Sequence, residues 1–260
     1  MRTIELSCDL GEAADAAGRA VEAEIWAMVG AANVACGGHA GDEVSMSEAV
    51  ERAARHGVRL GAHPSYPDRE GFGRRRMTIA PERLRASLVE QMEALRAVAR
   101  RAGVPLERAK AHGALYNEAV HDEDLAEIIV DAIEAVDARM AIVAQPHSKM
   151  IAAARRRRLP TIREAFADRR YAPGGSLVPR SNPRALLLDP GDAAAQAVLL
   201  AADHRARTSA GKIGVEFETL CVHGDMARAV ERLVAIREAL VEAGFELARR
   251  APGFRGETIA

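Results

Sequence analysis

Short β-like runs alternate along the chain with longer stretches in which apolar residues recur at helical spacing. The short runs predict strands at Ile4–Asp9, Asn33–Cys36, Arg59–His63, Arg108–His112, Met140–Ala144, Thr161–Ala165 and Thr219–His223. The longer stretches predict helices at Glu43–His56, Pro81–Ala102, Asp122–Val136, Ser148–Arg158, Asp192–Asp203 and Met226–Ala243. Glycines stand where helix C-caps belong, at Gly57, Gly103 and Gly244. Strands that alternate with helices pair in parallel, because a parallel connection needs a long crossover.

Polar or ionisable residues stand at the ends of most of these predicted strands. They are Asp9, His63, His112, Gln145 and His223, with His39 just beyond the second strand and Asp168 just beyond the sixth. A closed barrel gathers its strand ends around one mouth, whereas an open doubly wound sheet would spread them along a crevice. We therefore predict an α/β fold, an irregular (β/α) barrel of about seven parallel strands with the active site at their C-terminal ends. Since no low-complexity linker or internal repeat is visible, we expect a single domain over residues 1–260.

The first polar group lies in the segment CDLGE at residues 8–12. Gly11 permits a tight turn after Asp9, and the turn returns Glu12 toward the mouth. Two carboxyl groups in a partly desolvated pocket acquire different pKa values and can then serve as an acid and a base. The segment alone leaves a second interpretation open, in which Glu12 caps a helix and Asp9 is a satisfied core carboxylate.

The second and third predicted strands lead into glycine-rich turns that carry polar side chains. His39 and Asp42 follow the second strand and are candidate ligands or proton carriers, whereas Cys36 is typical of a small buried residue. His63 ends the third strand, and Arg74 in the following loop can bind a carboxylate or phosphate through two hydrogen bonds. A solvated loop charge is the alternative for Arg74.

Lys110 and His112 give the strongest local signal. They stand two residues apart on one predicted strand, so they share a face, which in a barrel is the interior. A buried lysine is unfavourable unless it meets an acid or a substrate. His223 and Asp225 bring two more titratable groups to the end of the last predicted strand. Each histidine alone is better explained by a core or surface role. Four histidines at or near strand ends together favour a shared site, and they are His39, His63, His112 and His223. We expect the other four to be surface residues: His56, His121, His147 and His204.

The composition narrows the choice of partners and compartment. With a formal net charge of −1 over 260 residues, the chain has no field that would draw it to nucleic acid or to an anionic membrane. Three cysteines are too few for a disulfide framework, and no apolar signal segment opens the sequence, which indicates a cytoplasmic protein. No P-loop of the form G-x-x-x-x-G-K-[ST] is present. The irregular stretch 167–190 is typical of a loop that covers a site.

Taken together, these motifs resemble the LamB/YcsF family. The matching segments recur in order over nearly the whole chain and are CDLGE at 8–12, ANVACGGHAGD at 32–42, GAHPSYPD at 61–68, GFGRR at 71–75, KAHGALYN at 110–117, EAFADRRY at 164–171, LVPR at 177–180 and CVHGD at 221–225. The chain departs from the usual family residues at Ser7, Gly38, Ala111 and Glu218, while the ionisable groups remain.

The resemblance implies a seven-stranded (β/α) barrel related to metal-dependent polysaccharide deacetylases. It also implies ATP-dependent opening of 5-oxoproline to glutamate, together with two partner subunits, B and C. On this basis we expect catalytic roles for Asp9, Glu12, His39, His63, Lys110, His112, His223 and Asp225. We expect substrate-binding roles for Asp42, Arg74, Asn117, Asp168 and Arg180. Because the chain lacks a P-loop, ATP would bind unusually or with the help of the partner subunits. Whether a divalent metal takes part stays open.

Two other functions fit the same residues. A metal-dependent deacetylase or amidohydrolase acting alone on a carbon–nitrogen bond would use Asp and His at the strand ends as an open three-ligand site. A non-catalytic barrel that binds a small acid or serves as a scaffold is disfavoured, because so many ionisable groups would be buried without a purpose. The sequence does not decide whether the chain forms homo-oligomers.

Overall fold

A computed structural model of the chain describes residues 2–249. The strands are β1 (Arg2–Leu10), β2 (Ala31–Ala35), β3 (Arg59–His63), β4 (Leu106–Ala109), β5 (Ala141–Ala144), β6 (Thr161–Phe166), β7 (Arg205–Thr208), β8 (Gly211–Gly214), β9 (Thr219–Cys221) and β10 (Phe245–Leu247). The helices are α1 (Ala16–Trp26), α2 (Glu43–His56), α3 (Pro81–Arg101), α4 (Gly113–Glu118), α5 (Glu123–Asp137), α6 (Lys149–Arg156), α7 (Pro190–Asp203) and α8 (Ala229–Glu242). The domain expected over residues 1–260 includes Met1 and residues 250–260, which lie outside the described residues.

Seven parallel strands close into a barrel, as the sequence predicts. Their order is β1, β2, β3, β4, β5, β6 and β9, and β9 pairs with β1 to complete the ring. The crossover helices lie between consecutive strands of this ring, which is the arrangement that parallel pairing requires. β10 pairs with the start of β1, and β7 with β8 forms a separate antiparallel ribbon.

The alternation of residues along β1 divides the molecule into a polar barrel interior and an apolar outer layer. Ile4, Leu6, Cys8 and Leu10 belong to the hydrophobic core cluster. The intervening residues point the other way, since successive strand residues face opposite sides of a sheet. Glu5 pairs with Arg108 of β4 at 2.6 Å, which is a contact across the barrel interior because β1 and β4 are not neighbours in the ring.

Some elements differ from the sequence-based expectation. α1 was not predicted, and only Ile25 and Trp26 of this helix are buried, so it leaves a weak periodic signal. The short α4, the ribbon and β10 were also not predicted. β4 ends at Ala109 rather than at residue 112. The extended pairing continues beyond it, since the backbone N–H groups of Lys110 and His112 donate to carbonyl oxygens of the third-strand segment at 2.9 and 2.8 Å.

The predicted helix ends and the long loop are confirmed. Gly57, Gly103 and Gly244 all have positive φ angles directly after helices, the left-handed conformation that glycine adopts without strain. Bridges join Arg169 to Leu186 and Tyr171 to Leu177 within the stretch 167–190, and residues of this stretch line the main cavity. None of the helices among residues 2–249 combines the length and the apolar character needed to cross a bilayer.

Candidate active site

A turn held by a carboxylate carries Glu12 over the end of β1. Gly11 adopts a φ of 74°, which only glycine tolerates easily, and allows the chain to reverse directly after the strand. The carboxylate of Glu22 accepts hydrogen bonds from the backbone N–H groups of Gly11, Glu12 and Ala13 at 2.9 to 3.0 Å. The turn thereby fixes Glu12 above Asp9, with 8% of the Glu12 side chain exposed.

Lys110 neutralises two acids inside the barrel. Its Nζ lies 3.0 Å from Asp9 Oδ2 and 2.9 Å from Glu164 Oε1. Tyr116 donates to the second oxygen of Glu164 at 2.9 Å. Burial alone would raise the pKa of Asp9, but the charges of His63 and Lys110 outweigh it and hold that pKa well below its ordinary value. The expectation that a buried Lys110 meets an acid is confirmed, and its partners are Asp9 and Glu164.

Three histidine rings gather around Glu12. His39 Nε2 lies 2.9 Å from Glu12 Oε1, and the His39 ring stacks on that of His112 with centroids 3.6 Å apart. His112 Nδ1 lies 3.4 Å from the same Glu12 oxygen, and His63 Nε2 lies 3.8 Å from it. His63 Nε2 is also 3.3 Å from Asp9 Oδ2. The expectation that these strand ends converge on one mouth is confirmed.

The hydrogen bonds of His63 and His112 fix which ring nitrogens carry hydrogen. His63 Nδ1 lies 2.7 Å from the carbonyl oxygen of Lys110, and His112 Nε2 lies 2.9 Å from that of Phe72. A carbonyl oxygen only accepts, so both of these nitrogens are N–H donors. In the neutral rings, the remaining nitrogens, His63 Nε2 and His112 Nδ1, would then face each other with lone pairs at 3.0 Å. A proton or a metal cation between them would remove this conflict.

The electrostatics of the cluster separate its members into different protonation states. Burial and the charge of Asp9 raise the pKa of Glu12, and the charge of His63 lowers it. Burial has the largest effect, and the resulting pKa is about 7. Burial and the neighbouring His63 charge lower the pKa values of His39 and His112, which keeps both rings neutral. For His63 burial acts downward, but Asp9 outweighs it and raises the pKa, so His63 is the ring that binds a proton.

His223 and Asp225 form a second polar group at the end of β9. Asp168 is fully buried and accepts from both the backbone N–H and Nδ1 of His223, each at 2.8 Å. The carboxylate of Asp225 forms ion pairs with Arg74 and, at 3.5 Å, with Arg180. The pKa of Asp225 is lowered because the charges of His223, Arg180 and Arg74 outweigh the effect of burial.

A cavity of about 910 Å³ joins both groups. The residues assigned from the sequence that line it are Asp9, Glu12, His63, Arg74, Lys110, His112, Asn117, Arg180, His223 and Asp225. His39 and Asp168 stand behind this lining, where they support Glu12 and His223. Asp42 lies elsewhere, since its carboxylate accepts from the backbone N–H of Ser45 and caps α2. His121, expected on the surface only, is exposed but lines the cavity.

Several residues of the site were missed in the sequence. Glu164, Tyr116 and Glu22 act through partners that come from distant parts of the chain, so their neighbours in the sequence do not reveal these contacts. Arg169 lines the cavity as well, directly after Asp168. A buried glutamate at the end of a predicted strand was a usable signal for Glu164, because such a carboxylate requires a cation.

Glu12, His39, His63 and His112 together have the composition of a metal site. One ligand atom from each lies within 4.8 Å of the others. Imidazole nitrogens with a carboxylate suit zinc and other transition metals. The backbone carbonyls that bind the outer nitrogens of His63 and His112 orient both rings, as is common for metal-ligating histidines. The residues present therefore fit a divalent ion.

Comparison with known proteins agrees with these features. The profile of the LamB/YcsF family matches residues 4–253. A protein named as the A subunit of 5-oxoprolinase, from Geobacillus kaustophilus (strain HTA426), is 42% identical over 95% of this chain and 96% of its own length. A protein of the same name from Pyrococcus furiosus is 40% identical over 94% of this chain and 96% of its own length. The crystal structure of the lactam utilization protein from Thermus thermophilus superposes with a TM-score of 0.87 and 38% identity, covering 95% of this chain and 99% of that one.

Proposed function

Because the chain belongs to the LamB/YcsF family, we propose that it is the A subunit of an ATP-dependent 5-oxoprolinase. The enzyme opens the lactam ring of 5-oxo-L-proline to give L-glutamate, and the chain works with partner subunits B and C in the cytoplasm. The observation that carries the proposal is the cluster of acids and histidines at the mouth of the cavity, in a chain about 40% identical to proteins of that name. The names of the similar proteins support hydrolysis of a cyclic amide, whereas the dependence of the reaction on ATP rests on the proposal alone.

The reaction needs a base, an acid and a polarised carbonyl. An unstrained five-membered lactam is a stable amide. Water must add to its carbonyl carbon with loss of a proton, and the ring nitrogen must gain a proton as the carbon–nitrogen bond breaks. Glu12, with a pKa of about 7, can accept the proton of the attacking water at neutral pH. His63, kept protonated by Asp9, can donate a proton to the leaving nitrogen.

The other residues of the site hold these two groups in place. Lys110 keeps Asp9 ionised, and Asp9 in turn keeps His63 protonated. His39 and His112 lie against Glu12 and restrict its carboxylate to one position. Asp168 orients His223 at the second polar group. Arg74, Asn117 and Arg180 line the cavity and contribute donors that can bind the substrate.

ATP would activate the amide by phosphorylating its oxygen, which makes the carbonyl carbon more reactive. The sequence has no P-loop, so the residues present do not form a recognisable phosphate-binding loop. We assign ATP binding to a partner subunit or to a site shared with one. The phosphoryl group would pass from ATP to the amide oxygen and leave ADP, and inorganic phosphate would depart after water has added to the carbonyl carbon.

An assay of glutamate release tests this proposal. The purified chain should release no glutamate from 5-oxo-L-proline and ATP on its own, and release should appear when subunits B and C are added. ADP formation should rise in parallel with glutamate. ATP-coupled turnover by the chain alone would contradict the division of labour, and failure of the complete assembly to open 5-oxoproline would contradict the proposed substrate.

The opposed lone pairs of His63 and His112 favour a second candidate, a metal-dependent amidohydrolase acting alone. Glu12, His39, His63 and His112 would hold the ion, and the ion would supply Lewis-acid activation of a carbonyl. Asp9 and Lys110 would then orient the bound substrate beside it. Loss of ATP-independent amide hydrolysis on chelation, and its return with metal, would support this candidate over the first.

A further inference from the structure

Three arginine residues are buried among the described residues, and one of them lacks an acidic partner. Arg108 pairs with Glu5 at 2.6 Å, and Arg232 lies 3.7 Å from Asp168. Arg169 is 3% exposed, yet no carboxylate oxygen of residues 2–249 lies within 4.0 Å of its guanidinium. A buried cation without a counter-charge is unfavourable, so its presence requires an explanation.

The acid next in sequence does not supply the missing charge. Asp168 accepts two hydrogen bonds from His223, and its second oxygen also faces Arg232. Burial and the nearby charge of Arg180 lower the pKa of Arg169 to about 10, although Asp168 acts in the opposite direction. The guanidinium therefore stays charged at neutral pH but is poorly compensated within the chain.

The donors of Arg169 are also incompletely used. Nη2 donates to the carbonyl oxygen of Val178 at 2.8 Å, while Nε is buried without a hydrogen-bond partner in residues 2–249. Arg169 lines the same cavity as Glu12, His63 and Lys110. A charged, under-bonded guanidinium on a cavity wall is suited to bind an anion that enters the cavity.

Backbone hydrogen bonds hold the loop in addition to the contact between Arg169 and Val178. The backbone of Arg170 bonds to Ala185 at 2.8 Å and receives a hydrogen bond from Val178 at 2.9 Å. Gln196 donates to the carbonyl oxygen of Arg169 at 2.7 Å. Since backbone contacts already hold both sides of the loop, the side chain of Arg169 is available for a ligand.

We propose that Arg169 is the residue that binds the carboxylate of the substrate, so that the site takes small lactams or amides carrying an anionic group. This inference rests on the proposed function and adds the group that recognises the substrate. Arg180, whose contact with Asp225 is 3.5 Å long, lies close enough to Arg169 to reinforce the positive potential. The carboxylate would orient the lactam carbonyl relative to Glu12 and His63.

The test compares two ligands that differ by the carboxylate. The dissociation constants of 5-oxo-L-proline and of 2-pyrrolidinone, the same lactam without a carboxylate, are measured for the wild-type chain and for the chain assembled with its partners. Arg169→Met should weaken 5-oxoproline binding by roughly 10- to 100-fold, the scale of a lost charged hydrogen bond. Binding of 2-pyrrolidinone should change by less than about twofold, because it makes no contact of this kind.

Two further variants control for folding and for general charge. Arg169→Lys keeps the charge and should recover part of the affinity for 5-oxoproline. Arg170→Met removes a neighbouring arginine that is exposed, and it should leave both dissociation constants unchanged. Melting temperatures of all variants establish that the barrel is intact, and Arg169→Gln, which also removes the charge, replaces Arg169→Met if the latter unfolds.

The outcomes separate this inference from the proposed function. If the wild type prefers 5-oxoproline and Arg169→Met keeps that preference, the carboxylate binds elsewhere and only the role of Arg169 is overturned. Equal losses for both ligands overturn it as well, because the side chain would then shape the cavity in general. A wild-type assembly that binds neither ligand overturns the proposed function together with this inference.

Discussion

Lys110 Nζ is equidistant from the two carboxylate oxygens of Asp9, at 3.0 Å from each, across the interior of the barrel. Asp9 lies on β1 and Lys110 directly follows β4, and these strands are not neighbours in the ring, so the contact ties opposite walls together. Replacement of either residue affects both the stability of the barrel and the protonation of the site.

Lys110→Met should destabilise the fold. It leaves Asp9 and Glu164 buried without their cation, and loss of one partner of a buried pair typically costs about 3–5 kcal/mol. The control is Lys149→Met, which breaks an exposed pair with Glu123 and should cost less than about 1 kcal/mol. Urea unfolding of the two variants measures the difference. Equal stabilities would mean that the interior tolerates the free carboxylates, for example by protonating them.

His112→Gln should keep the fold but lower the activity of the assembled enzyme by about 100-fold, the scale expected when a catalytic group such as Glu12 or His63 is misplaced. The Gln side chain has similar reach, but it cannot present the unprotonated nitrogen that lies 3.0 Å from His63. His56→Gln, on α2, should leave turnover unchanged. If His112→Gln turns over at the wild-type rate, His112 does not position Glu12 or His63 for proton transfer.

The metal-dependent candidate predicts that the histidine cluster binds a transition metal. After incubation with Zn²⁺ or Mn²⁺ and removal of excess metal, elemental analysis should find about one ion per chain, the stoichiometry of a single four-ligand site. His63→Ala and His39→Ala should lose the ion, whereas His223→Ala should retain it, because His223 lies outside the cluster. A metal-free wild type would show instead that a proton on His63 resolves the conflict with His112.

The contact between Asp168 and His223 predicts a dependence of stability on pH. The pKa of Asp168 is lowered in the folded state, because the charge and hydrogen bonds of His223 outweigh burial. Its stabilising contribution is therefore complete above the ordinary pKa of Asp, about 3.9, and is lost as the pH falls through the lower folded value. The difference in unfolding free energy between wild type and Asp168→Asn should accordingly shrink below about pH 4. A constant difference from pH 7 to pH 2 would rule out this linkage.

The sequence predicted the barrel and most of the cluster because both depend on local patterns. A polar residue such as His63 or Asp9 marks the C-terminal end of its strand, and parallel strands in a barrel bring these ends together. The misplacement of Asp42 has a physical cause: an aspartate after a strand serves equally well as a helix N-cap, and only the position of Ser45 distinguishes the two. Glu164 was missed although its place near the end of a predicted strand was a usable signal, and Arg169 was missed because its role depends on charges from distant segments.

One edge of β1 is shared by two strands that come much later in the chain. Arg2–Ile4 pair with Phe245–Leu247, and Glu5–Ser7 pair with Thr219–Cys221. At ordinary rates of translation, the ribosome needs roughly 10–40 s to make the intervening residues. Throughout that time β1 has an unpaired edge, which is a template for unwanted strand pairing. We expect the nascent chain to be a substrate for chaperones until synthesis passes residue 221. Variants in which the ring closes more slowly should therefore give a lower yield of folded protein, although the folded protein itself is unchanged.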